Sequence, residues 1–322
     1  MSNGILILAD PKGKAWSFAK EVYNRLNSNP ENERKYSLGE VEIRKFNDGE
    51  IFVKILTNVR KKTCFFIHDS SMNPQDWTIV LAEVNDALMR SSAGKINNVL
   101  PYMKYSRQDR MTEPRTPITA SVLARLINSS AYRVITTDLH NPAIAGAYNI
   151  PFDNLKAYPT IINYLKTKYP EFLDNAVVVA PDVGSADRAK SYAKRIGASV
   201  AIADKSREKA GVVGDMTIIG NVCGKNVILV DDMIDTGGTI CKAGDVLKEK
   251  GALKVWVCAT HGVFSNDAIE RLNNSAFEKV IVTDSIPLQS EGKIEVVSLA
   301  ELFAQAIYRI SHGKSVSELF RG

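Results

Sequence analysis

Residues Val227 to Thr239 read Val-Ile-Leu-Val-Asp-Asp-Met-Ile-Asp-Thr-Gly-Gly-Thr, and no other stretch limits the fold of this chain so strongly. Four apolar residues rich in β-branching predict a buried strand. They run into the adjacent carboxylates Asp231 and Asp232, and a turn from Asp235 to Thr239 follows. Ile240, Ala243, Val246 and Leu247 then recur at helical spacing as far as Lys250-Gly251, a basic last turn with a glycine stop. Strand, acidic tip, glycine turn and helix in that order belong to an open α/β sheet, where ligands bind outside the carboxyl ends of the strands.

The chemistry of the stretch follows from its residue types. Gly237 and Gly238 let the backbone come close to a ligand, and the N–H groups that open the helix face an anion. The hydroxyls of Thr236 and Thr239 add donors. The turn therefore suits a phosphate, while the carboxylates before it suit neutral hydroxyls or a metal. A sugar phosphate presents both kinds of group a short distance apart. A plain helix cap made by Asp235 and Thr236 is the competing explanation. It leaves Asp231-Asp232 unexplained, because neighbouring acids repel one another unless a ligand uses them.

The chain has 322 residues, enough for two domains with a core each. Hydrophobic residues at 45% and charged residues at 24% are ordinary for a soluble globular protein. A net charge of +5 suits anionic small substrates, and no dense Lys/Arg block points to nucleic acid. No apolar run is long enough to span a bilayer, the start lacks a signal-peptide pattern, and the four cysteines lack metal-type spacing. These features lead to the expectation of a cytoplasmic protein with reduced thiols and no membrane partner.

Strand and helix patterns alternate along the chain, which predicts the α/β class with parallel sheets flanked by helices in both halves. The first half is expected over 1–153 and the second over 154–322, with Ile150 to Pro159 as the crossing between them. No sequence repeat is clear enough to establish that the halves share one fold. Phe46-Asn-Asp48-Gly-Glu50 lies between two alternating stretches and reads as a hairpin connection, since Asp-Gly supplies positive φ.

Other candidate residues are ambiguous one at a time. Arg107-Gln108-Asp109 follows a predicted strand and offers a guanidinium for a phosphate, though surface charge explains it as well. Asp138-Leu-His140 closes the first half at a strand's carboxyl end, and Asp182 stands in a Pro-Asp-Val-Gly-Ser loop. Magnesium prefers oxygen, so Asp182 is the easier ligand to defend and His140 the harder. Lys205, Arg207 and Lys209 form a charged loop directly after a strand, either a solvated face or a cationic loop that closes over a polyphosphate. Gly313-Lys314-Ser315 is not a Walker A, because Tyr308 stands where the earlier glycine is required.

The stretch from Asp231 to Thr239 resembles the phosphoribosyl-diphosphate motif of phosphoribosyltransferases and ribose-phosphate diphosphokinases. With Phe46–Glu50, Tyr105–Asp109, Asp138–His140, Pro151–Leu155, Pro181-Asp182, Lys205–Arg207, Thr260–Gly262 and Ser315–Ser317 in the same order, the chain is similar to ribose-phosphate diphosphokinases over nearly its full length. That resemblance implies two phosphoribosyltransferase-like domains and transfer of the diphosphoryl group of ATP to O1 of ribose 5-phosphate, releasing AMP. It further implies that Phe46, Asp48, Glu50, Arg107 and Gln108 bind ATP, and that His140 and Asp182 hold magnesium. Asp231, Asp232, Asp235, Thr236, Gly237, Gly238 and Thr239 would bind ribose 5-phosphate. Lys205 and Arg207 would stabilise the transition state. Dimers assembling to a homohexamer, and inorganic phosphate as an activator, are implied in the same way.

Three segments depart from the family's pattern: Asn141–Tyr148 in the region serving its allosteric phosphate/ADP site, Ser185 where a second glycine is usual, and Met111–Pro114 in a regulatory loop, with an unusual start at Ala9–Gly13. Arg60, Arg115, Ser315 and Ser317 match the allosteric site, so weakened or altered regulation is expected, in the inhibition by ADP above all. Two other readings stand beside the enzyme: a phosphoribosyltransferase consuming the diphosphate, and a catalytically silent regulatory subunit.

Overall fold

A computed structural model of the chain describes residues 4–30, 34–204, the backbone of Lys205, and 216–320; Arg207 lies outside the described residues. In chain order the first elements are β1 (Ile5–Ala9), α1 (Trp16–Ser28), β2 (Tyr36–Lys45), β3 (Ile51–Ile55), β4 (Thr63–Ile67), α2 (Pro74–Arg90), β5 (Lys95–Leu100), α3 (Thr119–Asn128), β6 (Arg133–Thr137) and β7 (Phe152–Leu155). Then come α4 (Tyr158–Lys168), α5 (Pro170–Leu173), β8 (Ala176–Ala180), α6 (Ala186–Ile196), β9 (Ser199–Lys205), β10 (Met216–Ile219) and β11 (Asn226–Ile234). The chain ends with α7 (Gly238–Glu249), β12 (Lys254–Gly262), α8 (Ala268–Asn273), β13 (Lys279–Thr283), β14 (Ile294–Val297) and α9 (Ala300–Ser311).

Local chemistry accounts for these boundaries. Every residue of β1 is buried, as a parallel strand covered on both faces must be. Helix α2 opens with Asn73, whose side-chain oxygen accepts the Asp76 N–H at 2.9 Å, and Pro74 stands at the first helical position. Helix α6 stops at Gly197, which takes the left-handed conformation (φ 71°) that glycine adopts without strain. Among the described residues no helix is long and apolar enough to cross a membrane.

Two compact units result. Among the described residues, one holds those within 4–156, 285–287 and 299–320, and the other those within 157–284 and 288–298. Each is built on a seven-stranded sheet, ordered β3-β2-β1-β4-β5-β6-β7 in the first and β10-β9-β8-β11-β12-β13-β14 in the second. Position for position these are the same order, and in each the outermost pair (β2–β3, β9–β10) is antiparallel while the other pairs are parallel. The α/β architecture of sheets flanked by helices is the one the sequence leads one to expect.

The registers match as well. Thr63 pairs with Ile5 and Lys95, and Asn226 pairs with Ala176 and Lys254. Followed outward, this equivalence puts Arg133 of β6 with Lys279 of β13, and Asp153 of β7 with Glu295 of β14. Arg133 is ion-paired to Asp153 and Lys279 to Glu295, so the same cross-strand charge pair occurs in both units. The duplication is hidden in the sequence because the two pairs use different residues of like charge. Strand β7 lies within the stretch expected to be a plain crossing, and β10 and β14 are, like it, four-residue edge strands too short to show periodicity.

Candidate active site

In the second unit the acidic pair is carried on strand β11 itself. The strand continues past Val230, through Asp231 and Asp232 to Ile234, because Met233 and Ile234 pair with His261 and Gly262 of β12. Asp232 is buried. Oδ1 of Asp231 accepts the N–H of Asp232 at 2.8 Å and the hydroxyl of Ser185 at 3.2 Å. Burial, then the charge and side chain of Asp232, raise the Asp231 carboxyl to about 7, against the pull of the Asp232 N–H and of Arg188.

The turn from Asp235 to Thr239 joins β11 to α7. Gly237 has φ 74°, a left-handed conformation that other residues enter only with strain, and it immediately precedes the first turn of α7. Thr236, Gly238 and Thr239 are exposed. Arg271 of α8 donates from Nη1 to the Thr236 carbonyl and braces the turn from outside. Sequence reading did not single out Arg271; its only signal is a basic residue in a short charged helix.

Asp182 follows β8, the strand next to β11. Its Oδ1 accepts the Ser185 N–H at 2.9 Å and shapes a single 3₁₀ turn over Val183–Ser185. Ser185 therefore joins this loop to the acidic end of β11, by its backbone to Asp182 and by its hydroxyl to Asp231. Lys205 ends β9, where its backbone pairs with Met216 of β10; Arg207, in the connection between those strands, lies outside the described residues.

In the first unit Phe46–Glu50 is the tip of the β2–β3 hairpin, as its sequence predicts. Phe46 N–H donates to the Glu50 carbonyl (2.8 Å), Glu50 N–H to Asp48 Oδ1 (3.1 Å), and Gly49 has φ 96°. Phe46 is 45% exposed. Its ring meets Phe52 edge-on at 5.7 Å, with the Arg44 guanidinium 4.9 Å and 4.0 Å from the two ring centres. The tip is an exposed aromatic face flanked by the carboxylates of Asp48 and Glu50, suited to stacking and hydrogen bonding with a base.

Arg107 and Gln108 follow β5 and are exposed. Gln108 is held in place: its Oε1 accepts the Thr119 hydroxyl at 2.5 Å, and its backbone bonds Tyr105 and Ala120. Oδ2 of Asp109 accepts the Asn141 side-chain N–H at 2.6 Å, which ties this loop to the one carrying His140. His140 is exposed beside a strained residue, Asp138, at φ 38°, whose buried carboxylate lies 3.7 Å from the Lys156 ammonium. The first unit thus brings Arg107 and Gln108 together with His140, and the second brings Asp182 together with the acidic pair. Among the described residues no group of three or more His, Cys, Asp or Glu forms a ready metal cage.

Comparison with known proteins places this geometry. The family model for the N-terminal domain of ribose phosphate pyrophosphokinase matches residues 13–130, and that for the phosphoribosyl synthetase-associated domain matches residues 206–321. A ribose-phosphate pyrophosphokinase of Helicobacter hepaticus is 49% identical over 286 residues, 88% of this chain and 92% of that protein. One of Caldanaerobacter subterraneus subsp. tengcongensis is 47% identical over 287 residues, 88% of this chain and 90% of that protein. The crystal structure of phosphoribosylpyrophosphate synthetase from Mycobacterium smegmatis matches with a TM-score of 0.85 at 32% identity, covering 97% of this chain and all of that one. At these identities and coverages the chain belongs to the ribose-phosphate pyrophosphokinase (diphosphokinase) family.

Proposed function

We propose that the chain transfers the diphosphoryl group of ATP to O1 of ribose 5-phosphate, forming 5-phosphoribosyl 1-diphosphate and AMP. One observation carries this reading: the paired carboxylates of Asp231 and Asp232 open directly into a left-handed glycine turn at the start of α7. The carboxylates accept hydrogen bonds from ribose hydroxyls. The turn at Asp235, Thr236, Gly237, Gly238 and Thr239 takes the 5-phosphate, where the helix N-terminus and close backbone approach favour an anion.

ATP binds through the first unit's motifs. Its base goes to Phe46 with Asp48 and Glu50, and its phosphates to Arg107 and Gln108. Lys205 and Arg207 stabilise charge that develops as the diphosphoryl group moves, a reaction in which positioning and electrostatics outweigh proton transfer. Magnesium fits the donors present. It keeps several waters and uses one or two protein ligands plus substrate phosphates, so exposed His140 in the first unit and exposed Asp182 in the second each need supply only a single ligand, without a protein cage. When bound, the ion neutralises polyphosphate charge and fixes its orientation. Assembly of dimers into a homohexamer, activation by inorganic phosphate and a cytoplasmic location belong to the same reading.

Purified protein incubated with ATP, ribose 5-phosphate and magnesium should form AMP only when ribose 5-phosphate is present. Absence of AMP with and without inorganic phosphate would overturn the reading in favour of a silent regulatory subunit.

A further inference from the structure

The matched registers show what the first unit does with the strand ends that carry the acidic pair in the second. His68 and Asp69 occupy the positions of Asp231 and Asp232. His68 turns inward, stacked on Trp77 at 4.9 Å with Nε2 on the Trp77 carbonyl, and contributes nothing to a surface site. Asp69 is 6% exposed, and its carboxylate accepts the Lys14 N–H at 2.7 Å from the loop after β1. It also accepts the N–H and the hydroxyl of Ser71, at 2.8 and 2.6 Å. These bonds hold the Asp69 carboxylate at the strand end.

Beside this carboxylate stands a cation that it does not pair with directly. Lys104, between β5 and the Arg107–Gln108 segment, is half-buried, with its ammonium 5.5 Å from the centre of the buried Tyr102 ring. Among the described residues its ammonium has no hydrogen bond or ion-pair partner. Burial disfavours its charge; Asp69 supports it, although that carboxylate is already engaged by Lys14 and Ser71; and the like charge of Arg107 opposes it. Two neighbouring cations, one of them partly desolvated, are costly in the free protein and favourable once a multivalent anion lies against both.

We propose that Lys104 joins Arg107 in gripping the polyphosphate of ATP, so that the first unit binds ATP in preference to AMP. The inference rests on the reading of the first unit as the nucleotide-binding side. It adds a contact outside the motifs that led there, and it explains how substrate is favoured over product: ATP carries more phosphate charge than AMP to place against the two cations.

Calorimetric titration of ATP and of AMP, each with magnesium and without ribose 5-phosphate, tests it on the full chain. In Lys104→Met and Lys104→Gln, ATP affinity should fall about tenfold, the equivalent of 1.4 kcal/mol, and AMP affinity by less than about twofold. Lys104→Arg should keep ATP affinity within about threefold. Unchanged ATP affinity in both neutral variants, or an equal loss for ATP and AMP, would overturn the proposal while leaving the nucleotide reading intact. Wild-type protein that binds no ATP would overturn both.

Discussion

The hydroxyl of Ser185 lies 3.2 Å from Oδ1 of Asp231, and so links the loop that bears Asp182 to the acidic end of the neighbouring strand. The link depends on strands β8 and β11 lying side by side, which brings residues far apart in sequence to the carboxyl end of neighbouring central strands. Ser185 is also a departure from the family's usual glycine. The bond gives that departure a structural use: it orients a carboxylate proposed to face the sugar.

Replacing Ser185 by Ala removes this bond and leaves the backbone bond to Asp182 in place. A hydrogen bond of this kind contributes on the order of 1 kcal/mol. Ribose 5-phosphate affinity, read by calorimetry, should fall about fivefold, with little change in the unfolding midpoint. An unchanged affinity would mean that the ligand releases Asp231 from Ser185 on binding.

The raised Asp231 carboxyl makes stability depend on pH. The folded protein holds this proton more tightly than the unfolded chain. The stabilisation is therefore complete below the ordinary carboxylate range and is lost as pH rises through about 7. Asp231→Asn should be more stable than wild type at pH 8, by about 1 kcal/mol or more, and close to it at pH 4.5. Urea unfolding of both proteins at the two pH values measures the difference. Parallel curves would show that Asp231 is ionised throughout.

Gly237 and Gly238 should separate folding from binding. Alanine at Gly237 must adopt φ 74°, at a cost of about 1 kcal/mol, although its Cβ meets nothing closer than Leu272 at 3.7 Å. Alanine at Gly238 enters the first turn of α7, where the nearest atom outside that turn is Nη1 of Arg271 at 3.8 Å. Stability should be kept or slightly improved there, since alanine favours helix. Both variants should lose ribose 5-phosphate affinity: the methyl of Gly238→Ala stands on the exposed side of the turn that takes the phosphate, while Gly237→Ala, whose methyl faces Leu272 and Cys241, strains the backbone of that turn. Gly238→Ala with normal affinity would move the phosphate away from this turn.

Glu295 holds the edge of the second sheet. Burial opposes its ionisation, but bonds from Lys279, Tyr164, Tyr169 and Lys168 prevail and keep the carboxyl at about 2. The folded-state value is depressed, so this stabilisation is present above the ordinary carboxylate range and fades as pH falls towards 2. Glu295→Gln should cost about 1–3 kcal/mol at pH 7 and less at pH 4. Urea midpoints for variant and wild type that differ equally at both pH values would assign the effect to packing instead of charge.

Much of the fold is legible in the sequence. The β-branched runs at β8, β11 and β12 are buried on both faces of a parallel sheet and read directly as strands, and the Asn-Asp-Gly tip announced its hairpin. The motif from Asp231 to Thr239 announced both its place at a strand end and the class of ligand it suits. Local chemistry suffices in these cases, because burial, turn conformation and capping are decided by residues close together in the chain. Tertiary structure decided the rest: Ser185 against Asp231, Arg271 against the Thr236 carbonyl, Asn141 against Asp109, and the Lys14 N–H against Asp69. It also exposed the duplication, through charge pairs at matching registers that share no residue types. Each of these contacts joins distant segments whose alignment is set by strand pairing across a sheet, and no periodicity within a segment encodes which strand its neighbour will be.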